Sequence, residues 1–525
     1  AEIQGLSGKD INRKLKSRIQ ELPKALDEYY LMLARDVDVV GSNKGEVFTV
    51  QRLPDGNVRV QVSKKDDDGA AKGQPFFDRT FVKGETRDIR LYGLDGKDVF
   101  NVTGEGRNSI RVRIIGGEGG DMIADNARGG RTEVYDVPNT ELKAGPGTAD
   151  RRSLRLGINH YDRDAFEYDG YAPRGSIIYN QNDGFGIAAG FDWVKQGFRK
   201  PDYRVRYGID AQYTTGGNRQ ITGNVRWRYL IGKWDFGARG TYGNFFPFYN
   251  FFGLGNNTTK DDGLYDDHFY RARYRGYQTE AFFERAFRGK SYVRIGPVYE
   301  QYQSAYDDNS YIGQLTNRQN PLDLVPNTSF QRLLGGRAVV DLDFRDRKLF
   351  ARKGVRLYGE HTTWQQLNQG QNTFGLTEAF AEYLATARLG IPVTLAVKGG
   401  GGKNYGSSDE IPFYKFTQLG QRQNLRGYVR NRFTGDASLY LNSELRLALG
   451  RVETSFLPFY YGLFGFYDQG QVYYKGNADG GWHRGYGGGF YVAPVYETFA
   501  LSVSVQHSVE EAALIQFGLG FRIDQ

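Results

Sequence analysis

The sequence predicts an all-β protein: a 16-stranded transmembrane antiparallel β-barrel, preceded by a small N-terminal helix plus β-domain. Three observations lead there. The chain ends on a strand whose residues alternate, with Ile515, Phe517, Leu519, Phe521 and Ile523 on one face and Leu514, Gln516, Gly518, Gly520 and Arg522 on the other. A wall between lipid and a watery lumen needs that alternation. From about Gly175 onward, roughly sixteen amphipathic segments follow one another, many of the ten or so residues that cross a membrane at a tilt. Finally, the three longest connections, about Asn244 to Asp267, Ser304 to Phe330 and Asn404 to Asp436, follow the fifth, seventh and eleventh of these segments. All three therefore lie on one side of the wall, as the long loops of such barrels do.

Composition agrees. The 525 residues include 70 Gly, 37 Tyr and 35 Phe but only two Met and no Cys. No run of about 18 apolar residues occurs, which excludes a helical membrane protein. A chain only 39% hydrophobic can still span a bilayer as a barrel, because alternate residues face a polar lumen. The absence of cysteine fits an oxidising compartment. The formal charge of +8 is spread among aromatics along the strands instead of clustering in a helix or tail. That pattern points to anionic lipid headgroups or solubility and away from nucleic acid. No signal peptide is visible at Ala1, so the chain is expected to be processed or part of a longer precursor.

In chain order, residues 1–34 read as an amphipathic helix, with Ile11, Leu15, Ile19, Leu22, Leu26, Tyr29 or Tyr30 and Leu33 in one stripe. Ser7 and Asp10 open it as a capping-box-like start, and Pro23 is expected to kink or divide it. Residues 35–145 alternate short β-branched runs, such as Val58 to Val62 and Ile110 to Ile115, with Gly/Asp turns. This is expected to be a small periplasmic β-domain. Residues 146–173 read as a linker, and 174–525 as the barrel. Strand centres are expected near residues 178, 189, 208, 224, 238, 277, 297, 339, 359, 381, 397, 444, 467, 489, 502 and 518. Tyr203 to Tyr213 and Ser438 to Leu449 show the alternation most cleanly.

Several motifs carry a family likeness. The last strand fits the pattern polar, any, Gly, any, any, aromatic, any, hydrophobic, and so resembles the carboxy-terminal signal of bacterial outer-membrane barrels. Leu425-Arg426-Gly427-Tyr428, in the connection after strand eleven, resembles the sixth-loop motif of the outer-membrane protein 85 superfamily, to which BamA and TamA belong. Asp343-Phe344-Arg345-Asp346 with Gly354, and Phe251-Phe252-Gly253-Leu254-Gly255-Asn256, resemble further signatures of that family. The resemblance covers about residues 174 to 525. It implies that the loop folds into the lumen, where Arg426 meets acidic residues on the next two strands; the matching positions are Glu444 and Asp468. It also implies a weak lateral seam between the first strand (Ile177, Ile178, Tyr179) and the last (Gln516, Gly518, Phe521), and a role in insertion, translocation or assembly of outer-membrane components. The implied partners are outer-membrane lipids and lipopolysaccharide, with client outer-membrane proteins or accessory assembly subunits. The first strand reads as short, Gly175 to Gln181, which would leave a marginal edge. An ordinary lumenal salt bridge is the alternative reading of the three charged residues; Asp468 shares its face with Phe464 and Phe466.

The N-terminal part does not resemble that family's transport-associated domains. Leu91 to Phe100 and Ile115 to Asp121 instead resemble the region joining a metallophosphoesterase to a surface-antigen barrel in fused Bacteroidetes proteins. A barrel that anchors an enzyme encoded upstream is therefore an alternative, as is a scaffold or pore subunit. The five histidines, His160, His268, His361, His483 and His507, are isolated, so no phosphoesterase metal site and no enzyme is expected within this chain. Asp95, Asp98 and Asp121 sit in turns similar to calcium-binding β-roll repeats, but ordinary Asp-Gly turn chemistry is the expectation, with no cofactor. The glycine runs 399–402 and 487–489 lack the Lys-Ser/Thr ending of a phosphate loop.

Overall fold

The computed structural model describes every residue except 1, 107, 154–155, 166, 181–183, 199–201, 245–248, 288–289, 305–308, 318–329, 349, 369–371, 422–423, 455–457, 496–499 and 520–525. Two compact units divide the chain, Ala1–Glu167 and Tyr168–Gln525.

The first unit opens with one helix, Glu2–Arg35. It runs on through Pro23, contrary to the expected break: a proline forfeits one backbone hydrogen bond, and here the turns on either side carry the helix past it. After the helix the chain switches back and forth between two sheets. One contains Asp36–Val40, Asp88–Tyr92, Arg111–Ile115, Thr132–Tyr135 and Thr148–Asp150, every neighbour pair parallel. The other holds Glu46–Arg52, Val99–Gly104, Met122–Asp125 and Glu141–Lys143 in parallel, and adds Val58–Lys65 and Ala71–Phe81 as an antiparallel edge. This is a flattened β-solenoid. Its core is a single cluster that includes Phe48, Val60, Ile89, Leu91, Phe100, Val112, Ile114, Ile123 and Val134. Fully burying each such side chain contributes about 1.5–3 kcal/mol. The stretch expected to be wholly linker contributes Thr148–Asp150 to the first sheet, because Ala149 pairs in register with Glu133.

The second unit is one antiparallel sheet of sixteen strands in sequence order. They are Gly170–Asn180, Gly184–Lys195, Val205–Thr214, Arg219–Ile231, Trp234–Gly243, Tyr274–Phe287, Ser291–Ser304, Gln331–Asp343, Gly354–Gln366, Thr373–Leu389, Ile391–Tyr405, Ala437–Val452, Phe459–Tyr473, His483–Pro494, Leu501–Ser508 and Leu514–Leu519. All sixteen expected centres fall inside these strands. The first strand is longer than expected, eleven residues, since Tyr171 and Ala172 pair with Trp193 and Asp192. Alternation sorts the faces. In the twelfth strand, Leu439, Leu441, Leu445 and Leu449 are exposed on the outside, while Ser438, Asn442, Glu444 and Arg446 are buried inside. The sheet curls into a barrel, and described residues of the long connections, such as Phe251, Ile312 and Phe413, pack with residues of its strands. The seventh strand and the 405–437 connection, for instance, meet inside it where Lys415 pairs with Glu300.

Candidate functional site: the lumenal sixth loop

The inner wall beside the 405–437 connection is charged, with Glu444, Arg446 and Asp468 buried on it. Leu425, Arg426 and Tyr428 are all buried there. Leu425 packs with Leu419, Phe433 and Val472, which fixes the loop tip by apolar contact. Arg426 then reaches the next two strands. Its Nε and Nη2 donate to the two carboxylate oxygens of Asp468, both at 2.7 Å, its Nη1 donates to Glu444, and its backbone N–H donates to Asp468 at 3.0 Å. Such a two-pronged match uses the planar fork of arginine, which lysine lacks. The guanidinium also lies over Phe466, 3.9 Å from the ring centre. Phe464, Phe466 and Asp468 do share a face, and that face is the inner one.

Gly427 is needed for a close approach. Its φ is +88°, and a Cβ there would stand 2.4 Å from the His507 carbonyl oxygen. On the facing strand, a Cβ at Gly485 would stand 1.7 Å from the Arg426 carbonyl oxygen. The loop backbone thus lies directly on the fourteenth and fifteenth strands, and Gly427 N–H donates to Gln506 at 3.2 Å.

The other motifs converge on the same lumen or on its turns. Asn256, the last residue of Phe251 to Asn256, accepts from Val472 N–H at 3.0 Å, and its carbonyl lies 3.0 Å from His483 Nε2. The His483 ring stacks on Phe433 at 3.7 Å and its Nδ1 is 2.6 Å from Glu510. Arg345 holds Asp343 with two hydrogen bonds, at 3.0 and 2.9 Å, and reaches Glu382 at 3.3 Å. Gly354, with φ +123°, lets the strand pass beside Arg345.

Three participants were missed from sequence. Arg446 donates to Glu444 at 2.7 Å and so supplies it with a second cation. Glu510 and Glu511, in the turn before the last strand, hold the loop: Tyr428 Oη is 3.3 Å from Glu510, and Val429 N–H donates to Glu511 at 2.9 Å. A strand-face reading could have found Arg446; nothing in the sequence marks the glutamates.

At the expected seam, Ile178 pairs with Gly186 and Tyr179 with Phe185, while Gln516 pairs with Ser504 and Gly518 with Ser502. Ile177 is exposed, and Phe521 lies outside the described residues. Among the described residues, the first strand is hydrogen-bonded only to the second and the last only to the fifteenth.

In the solenoid, Asp98 and Asp121 are buried but Asp95 is exposed, and Asp136, which sequence did not single out, joins them. Burial pushes the Asp98 carboxyl up to about 8 and raises those of Asp121 and Asp136 as well.

Among solved structures, this chain is similar to BamA from Haemophilus ducreyi lacking POTRA domains 1–3, at 13% identity and a TM-score of 0.49, over 68% of this chain and 70% of that one. It is similar to CdiB from Acinetobacter baumannii at 13% identity and 0.40, over 74% and 64%, and to CdiB from Escherichia coli at 11% and 0.43, over 72% and 66%. No protein-family model and no curated protein matches the sequence.

Proposed function

We propose that the chain is an outer-membrane barrel, with its solenoid in the periplasm, that inserts, translocates or assembles outer-membrane components through a lateral seam. Lipids and lipopolysaccharide surround it, and client barrels or accessory subunits are its partners. The observation that carries this reading is the double attachment of the sixth loop. Arg426 fixes it to the twelfth and thirteenth strands, while Val429 ties it to Glu511 at the approach to the last strand. An anchored lumenal loop that holds the turn leading into the seam strand suits a barrel whose wall opens, and a loop lying in the lumen suits an open pore poorly. A closed ring satisfies every backbone donor and acceptor, so a client strand can pair only where the ring opens.

The test is a lock. Ile178→Cys combined with Gly518→Cys, or their nearest register neighbours, should form a disulfide that leaves the barrel folded but stops client-barrel insertion into proteoliposomes, and reduction should restore it. The chain has no other cysteine to compete. Equal activity of the locked and reduced forms would reject lateral opening and favour a scaffold or enzyme-anchor role.

A further inference from the structure

The turns of the solenoid stack in register. Gly93 N–H donates to the Ile115 carbonyl at 2.9 Å and Gly116 N–H to that of Tyr135 at 3.1 Å, so Gly93, Gly116 and Asp136 form one column. A second column follows a few residues on. Glu46 N–H donates to Asp98 Oδ1 at 2.7 Å, Asp98 N–H donates to Asp121 Oδ1 at 2.8 Å, and Asp121 N–H reaches Thr140 Oγ1 at 3.4 Å. Asp98 and Asp121 therefore each use one oxygen on the amide of the neighbouring coil, and Asp136 uses its Oδ1 on the N–H of Val137 at 2.6 Å. The other oxygen is left over.

Those spare oxygens are buried and receive no hydrogen bond. Asp98, Asp121 and Asp136 are 1%, 3% and 0% exposed, and the Oδ2 atom of each lacks a donor. An unmatched carboxylate in such a place is costly. Two of them face one another across Gly116: a Cβ on that residue would stand 2.1 Å from Asp121 Oδ2 and 2.2 Å from Asp136 Oδ2. The two carboxyl oxygens crowd one point beside Gly116, which has no side chain to stand between them. On the adjoining rung, Asp98 Oδ2 and the Gly116 carbonyl oxygen crowd the same point, each 2.4 Å from where a Cβ on Gly93 would lie.

We propose that the Asp121–Asp136 turn binds one hard divalent cation of the calcium class. Two converging carboxyl groups that present oxygen donors alone are what such an ion selects, and its larger radius tolerates the irregular geometry better than magnesium does. Among the described residues no three acidic or histidine side chains surround a single point. The site consequently consists of two carboxylates completed by carbonyl and water oxygens. Asp95 takes no part, and the turn-only expectation is replaced for Asp121.

The test uses the full chain in detergent, stripped with chelator and titrated with calcium at pH 8 by calorimetry, with hydrogen exchange of residues 88–150 followed in parallel. The expected result is one saturable calcium ion and slower exchange in that segment. Asp121→Asn and Asp136→Asn should each abolish both effects, whereas Asp95→Asn should change neither. Asn keeps the Oδ1 acceptor, and exchange of the solenoid strands 46–52 and 58–65 at the level of the calcium-free wild type verifies that each variant folds. Absence of saturable uptake, or uptake that survives both substitutions, overturns the proposal. So does a stripped protein already fully protected at pH 8, which would assign the gap to a shared proton.

Discussion

Val429 donates its backbone N–H to Glu511 at 2.9 Å, which joins the sixth loop to the residues leading into the last barrel strand. The same carboxylate lies 3.1 Å from Arg432 Nε and 3.8 Å from Lys260. Loop and strand approach are thus held by one buried group. Any displacement of the last strand that carries Glu511 with it must either move the loop or break this junction.

Glu511→Ala should loosen that junction more than it disturbs the wall. It strands a buried amide, at roughly 1–3 kcal/mol, and takes a counter-charge from Arg432. The two bonds from Arg432 to Thr258, both 2.7 Å, remain and limit the loss. The variant should stay a barrel by heat-modifiable migration while the 411–436 segment becomes more susceptible to protease. Wild-type cleavage would mean that Glu511 does not hold the loop.

Arg426→Ala should act through Asp468 rather than Glu444. Glu444 keeps Arg446 at 2.7 Å, but Arg426 is the only cation paired with Asp468 among the described residues. Removing one partner of a buried pair costs about 3–5 kcal/mol, and lumenal water would reduce that. Detergent melting should show Arg426→Ala well below wild type. Adding Asp468→Asn should recover part of the loss, whereas adding Glu444→Gln should not, since that change leaves Arg446 unpaired as well. Additive effects of Arg426→Ala and Asp468→Asn in this cycle would rule out their coupling.

What could be read from sequence follows from period. A barrel wall with an apolar outer face and a polar inner one alternates at every other residue, so strands such as Ser438 to Leu449 announced their faces and the sixteen centres fell within real strands. The solenoid gives that signal in only some of its strands, such as Val58–Lys65. Asp88–Tyr92 is buried along its whole length, and parallel strands covered on both faces lose the alternation that reveals strand direction. Asp136 was hidden for a related reason: it faces Asp121 only because the coils stack, and the two are adjacent neither in sequence nor in strand register. Arg426, Glu444 and Asp468 came from a motif likeness. Arg446, which pairs with Glu444, belongs to no motif but stands on the same strand face, whereas Glu511, which pairs with Arg432, became visible only once the loop was seen lying on the wall.

The aspartate columns also predict how stability depends on pH in chelator, where no metal complicates the titration. Burial lifts the Asp98 carboxyl to about 8 and raises Asp121 and Asp136 in the same direction, while an unfolded aspartate titrates near 3.9. Between those values the folded solenoid holds protons that the unfolded chain has released. Stability must then fall as pH rises, because the unfolded state binds fewer protons. The contribution is complete below about pH 4 and is lost as pH climbs through about 8, the reverse of a salt-bridged carboxylate. All five tryptophans, at positions 193, 227, 234, 364 and 482, lie in the barrel unit, so tryptophan fluorescence would miss the transition. Hydrogen exchange of residues 88–150, corrected for the intrinsic dependence on pH, should instead show weaker protection at pH 8.5 than at pH 5.5. Asp98→Asn, which is neutral at both, should reduce the difference to the part that Asp121 and Asp136 contribute. A profile that stays steep in that variant would trace the pH response to another group.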